Sequence, residues 1–91
     1  MSEKYKIEEY IEVFDKKDIE HEILLFNDDV NTFDYVIEML VQVCEHSYQQ
    51  AEQCSIIVHN SGKCVVKTGS YKDLKPRCSK LIDSGLSAEI N

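Results

Sequence analysis

The feature that most limits what this chain can become is a change of period around residue 27. An unbroken apolar run, Ile23-Leu24-Leu25-Phe26, stops at Asn27-Asp28-Asp29; beyond it Phe33, Val36, Ile37, Leu40, Val41 and Cys44 recur at spacings of three and four. The run has the length of a strand, and the later spacings gather one face of a helix. The chain therefore reads as a strand over 21–26, a sharp turn on three small polar residues, and an amphipathic helix. Asn31 is placed to cap that helix, with Asp34 three residues later putting negative charge at the positive end of the helix dipole. A turn of this composition leaves hydrogen-bond acceptors at the mouth of a fold, where a cationic or donor-rich ligand can be held.

Further along, Ser47 with Gln50 is a second capping pair and opens a short helix to about Gln53, burying Ala51 and Cys54. The β-branched stretch from Cys54 to His59 reads as a strand. Asn60-Ser61-Gly62 then supplies a turn into Cys64-Val65-Val66-Lys67, which predicts a hairpin. Ser70 with Asp73 is a third capping pair. Leu74, Cys78, Leu81 and Ile82 give the stripe of a third helix closed by Gly85, and Pro76 inside it predicts an irregular first turn. Leu86-Ser87-Ala88-Glu89-Ile90 alternates like an antiparallel strand with one wet face. The order β-α-α-β-β-α-β implies an α+β two-layer domain, a small antiparallel sheet covered on one side by helices. Two strand ends, one carrying Asn27 and Asp28 and the other His59, would present an amide, carboxylates and an imidazole suited to gripping a protonated amine.

Composition excludes several functions. The 91 residues give room for one domain and one modest core, and none for a large buried cofactor. With 17 acidic against 10 basic residues, the net charge of -7 repels phosphate backbones and anionic lipid headgroups, so nucleic-acid and membrane partners are not expected. Met1-Ser2-Glu3-Lys4 reads as an unprocessed start and no apolar segment is long enough to span a bilayer, which predicts a cytoplasmic protein. Cys44, Cys54, Cys64 and Cys78 lack CxxC spacing and read as reduced apolar residues; a zinc site built from them with His21, His46 or His59 is the minor alternative. No phosphate-binding loop is present, and no nucleophile stands beside Asp28 and His59, so an enzyme is not expected. Residues 1–20 read as a flexible charged extension and 21–91 as the domain. Ile7, Ile11 and Phe14, at i, i+4 and i+7, leave a packed first helix as the alternative for the extension.

The segment from Leu25 to Val36, centred on Asn27-Asp28-Asp29, resembles the ClpS family, and so does Val58-His59-Asn60-Ser61-Gly62-Lys63. The resemblance covers about residues 21–90. It implies a ClpS-like fold, a three-stranded antiparallel sheet packed against three helices, with no cofactor. It also implies an adaptor of the N-end rule pathway, which delivers substrates with a destabilising first residue to a Clp AAA+ unfoldase of the ClpA or ClpC type by docking on its N-terminal domain.

By that likeness Asn27, Asp28 and His59 hold the substrate's α-amino group. Phe33, Val36, Val58 and Leu86 line a pocket for a first residue that is Leu, Phe, Tyr or Trp. Asp73 and Arg77 are the nearest candidates for the unfoldase-docking surface, and the N-terminal extension for the segment that engages the unfoldase pore. Two positions depart from the family pattern: Phe33 and Ser55 stand where methionines are common. A different class of reading is an interaction domain of the same fold, like the C-terminal domain of the ribosomal stalk protein, that ignores peptide ends.

Overall fold

A computed structural model of the chain describes residues 19–91. Both readings of the N-terminal extension concern a segment almost all of which lies outside the described residues. The elements run β1 (His21–Phe26), α1 (Phe33–Cys44), α2 (Tyr48–Ser61), β2 (Lys63–Gly69), α3 (Tyr71–Asp83) and β3 (Ser87–Ile90). The sheet is antiparallel with strand order β2-β1-β3. This is the expected α+β architecture of three helices on a three-stranded sheet.

β1 is the middle strand, and its alternation decides which face is covered. Ile23 and Leu25 are fully buried beneath the helices, while Leu24 and Phe26 between them are half-buried. Leu40 of α1, Ala51 of α2, and Leu74 and Leu81 of α3 complete the centre, each without accessible surface. Each large side chain sequestered in this way contributes roughly 1.5–3 kcal/mol. Burial pushes the Cys44 thiol up to about 11, and burial with a hydrogen bond involving Cys64 pushes Cys54 up to about 12, so both pack as neutral apolar groups. Among the described residues no cluster of His, Cys, Asp and Glu could hold a metal ion, and no helix is long and apolar enough to cross a membrane.

The structure corrects four expectations. There is no hairpin at 54–67: α2 continues unbroken from Tyr48 to Ser61, taking in the stretch that was expected to be a strand. Its buried residues, Ala51, Cys54, Ser55 and Val58, follow helical spacing, whereas Ile56 and Ile57 are substantially exposed. The β preference of three branched residues is overridden because the core takes one face of the helix through them. Gly62 is accordingly a helix cap rather than a hairpin turn; at φ 90° its N–H donates to the Val58 carbonyl at 2.9 Å.

Thr32, not Asn31, caps α1, its hydroxyl accepting from the Tyr35 N–H at 3.1 Å. α3 is regular from Tyr71 straight through Pro76, since the proline is exposed and removes a single donor from the wet side. Ile82, assigned to the core stripe, is half exposed.

Candidate functional site

The loop between β1 and α1 is built around one carboxylate. Asp28 Oδ1 accepts the backbone N–H of Val30 at 2.9 Å and of Asn31 at 2.8 Å, which folds the chain back on itself as small Asx turns do. Asp28 Oδ2 accepts from Asn31 Nδ2 at 2.9 Å, and the same Nδ2 donates to the Gly85 carbonyl at 2.9 Å. Burial alone would raise the Asp28 pKa. The bonds from the Asn31 backbone, the Asn31 side chain and the Val30 backbone outweigh it and hold the carboxyl below its ordinary value, so it is an anion at neutral pH.

A second tie fixes the loop against α2. The backbone N–H of Asn27 donates to the Gly62 carbonyl at 2.9 Å, so the residue that caps α2 also anchors the residue that follows β1. His59 lines the same cleft as Asn27, but from the last turn of a helix rather than from the end of a strand. Its imidazole meets the Phe33 ring at a centroid distance of 5.7 Å and a tilt of 51°. Phe33 is the first residue of α1 and keeps nearly half its surface exposed.

Between these groups lies a half-open cleft with a cavity volume of about 60 Å³. Asn27, Asp28 and His59 line it together. Phe33, Val36, Val58 and Leu86 line it as well, so all seven residues expected for the clamp and the pocket share one cavity. Val58 and Leu86 are almost entirely buried and give an apolar floor to a lining that is otherwise about half polar. A cleft of this kind suits a ligand with a charged donor end and an apolar body.

Sequence reasoning missed the part played by Asn31. It was assigned to the helix cap; instead its amide joins the loop to the turn after α3, across 54 positions of chain. The Asp-x-x-Asn spacing was the available signal, since a side-chain amide at that distance can return to the carboxylate that shapes the turn. Leu25 and Phe26 also line the cleft and had been read simply as strand.

Asp73 and Arg77 lie away from it on α3. The Arg77 guanidinium donates to Glu45 at 3.0 Å, to the Val43 carbonyl at 2.8 Å and to Asp73 at 3.3 Å, and its pKa is raised first by Glu45 and then by Asp73. It thus pins the end of α1, where Glu45 closes the helix in the left-handed conformation, onto α3.

Residues 16–89 match the family described as ATP-dependent Clp protease adaptor protein ClpS. A ClpS adapter protein of Acetivibrio thermocellus is 35% identical over 71 residues, covering 78% of this chain and 72% of that protein. One from Campylobacter jejuni is 36% identical over 70 residues, covering 77% and 73%. Among solved structures, Agrobacterium tumefaciens ClpS2 bound to L-phenylalaninamide superimposes with a TM-score of 0.75 at 19% identity, covering 79% of this chain and 94% of that one, a likeness of fold. The chain belongs to the ClpS family: it is an adaptor of a Clp protease and not itself an enzyme.

Proposed function

We propose that the cleft receives the free N-terminus of a protein substrate, and that the adaptor hands this substrate to a Clp AAA+ unfoldase of the ClpA or ClpC type in the cytoplasm. The observation that carries the reading is the convergence of Asn27, Asp28 and His59 on a cavity with an apolar floor. An α-ammonium group offers three donors and no acceptor, and these side chains can supply an amide oxygen, a carboxylate and a neutral imidazole nitrogen. A carboxylate has about four acceptor sites. Three bonds already occupy Asp28, two of them on Oδ1, which leaves room on Oδ2 for a ligand.

Charge-assisted bonds of this type contribute about 1.5–3 kcal/mol each, and an internal peptide bond, with one hydrogen and no charge, forfeits most of that. Phe33, Val36, Val58 and Leu86 would surround the first side chain, favouring Leu, Phe, Tyr or Trp through apolar burial worth about 1.5–3 kcal/mol. The relative bound to L-phenylalaninamide, an aromatic side chain beside a free amine, supports this assignment. Residues 21–91 would act as the recognition domain and residues 1–20 as the extension presented to the unfoldase. The α3 surface around Asp73 and Arg77 would meet the unfoldase's N-terminal domain through its exposed carboxylates, since the guanidinium is engaged internally.

The test is a pair of peptides beginning with Phe that differ only in acetylation of the amine, titrated against the wild type and Asp28→Ala. The free peptide should bind, acetylation should weaken it by at least about a hundredfold, and Asp28→Ala should weaken the free peptide by about tenfold or more. Equal binding of the two peptides rejects the reading in favour of an interaction domain indifferent to chain ends.

A further inference from the structure

One polar side chain interrupts the apolar floor of the cleft. Ser55 is 4% exposed and lines the cavity together with Val36, Val58 and Leu86. Its hydroxyl proton is already committed, because Oγ donates to the Ala51 carbonyl one turn earlier in α2 at 2.8 Å. A serine hydroxyl has one proton to give and two lone pairs. With its proton spent inside the helix, Ser55 can present only acceptor capacity to whatever fills the cleft.

Its position along α2 fits the reach of an aromatic side chain. His59 lies four residues further on, about 6 Å along the helix axis. A first residue whose amine is held at the level of His59 would therefore extend its side chain toward the level of Ser55. From this geometry we infer that Ser55 is a specificity-determining residue, accepting a hydrogen bond from the distal donor of the first side chain, the phenol O–H of Tyr or the indole N–H of Trp. This deepens the proposed function and rests on it. Leu and Phe would fill the same space and leave the Ser55 lone pairs without a donor, a loss that sets the ranking.

The experiment uses peptides identical but for a first residue of Phe, Tyr or O-methyltyrosine, titrated against the full chain and Ser55→Ala. The wild type should bind the Tyr peptide about five- to tenfold more tightly than the Phe peptide. O-Methyltyrosine, which keeps the oxygen but has no proton, should fall to the level of Phe or below. Ser55→Ala should erase the advantage of Tyr, bringing the Tyr and Phe peptides to within about twofold of each other. The methylated peptide reads the same bond on unaltered protein, so the inference does not depend on how the variant folds. Equal wild-type binding of Tyr and Phe, or a Tyr advantage that survives either methylation or Ser55→Ala, overturns this inference alone. Binding of none of the free-amine peptides overturns the proposed function with it.

Discussion

At the scale of single residues, Asp28 serves two purposes, since the bonds that shape its loop also keep it charged. The sign of the resulting pH dependence follows from its depressed pKa. The folded carboxyl titrates below its ordinary value of 3.8, so it contributes stability that is fully present above that pH and is lost as pH falls through the lower folded value. Denaturant unfolding of the wild type and Asp28→Asn should show a wild-type advantage at neutral pH that shrinks once the pH drops below about 3.8. An advantage that persists undiminished in strong acid would mean that the charge is not its source. Asn27 and Asp28 were legible as candidates because small polar residues between a strand and a helix stand out by composition. Asn31 was not, because one amide beside a helix start looks like any other cap until its distant partner, Gly85, is known.

The scale of elements shows why periodicity succeeded in one helix and failed in another. α1 and α3 each combine a cap with a stripe of apolar residues, and both were readable. α2 buries only small or mixed residues, Ala51, Cys54, Ser55 and Val58, so its helical period was weak beside the adjacent branched run Ile56-Ile57-Val58. His59 precedes Gly62 by the same three positions in either reading, and it lines the cleft with Asn27. α3 supplies a prediction of its own. Pro76 leaves the Lys72 carbonyl without its helical donor on an exposed surface. Proline costs about 3 kcal/mol relative to alanine in a helix interior, offset by about 0.4–1 kcal/mol through its stiffening of the unfolded chain. Pro76→Ala should therefore raise stability by roughly 2–2.6 kcal/mol in a denaturant melt. A neutral or destabilising result would show that the helix has already adjusted to the missing bond.

For the whole molecule, charge and chain order both bear on the site. The chain carries a net charge of -7, and its cleft is proposed to receive a cation. Long-range attraction acts on encounter and is screened within about 10 Å at 0.1 M salt, whereas bonds inside a partly desolvated cleft are screened far less. The association rate of a free-amine peptide should therefore fall several-fold between about 0.02 and 0.5 M salt while its dissociation rate stays nearly constant, as read by stopped-flow fluorescence. A dissociation rate carrying most of the salt dependence would show instead that the charges of the cleft stay open to solvent ions.

The rim of the cleft draws on segments far apart in the chain, since Asn31 reaches across 54 positions to Gly85. One of its ties is made through a single nitrogen atom. Hydrolysis of the Asn31 side-chain amide, a slow chemistry of ageing proteins, would replace two donors with a second anion aimed at Asp28 and at a carbonyl. An old molecule altered in this way would stay folded at its centre and lose its grip at the edge.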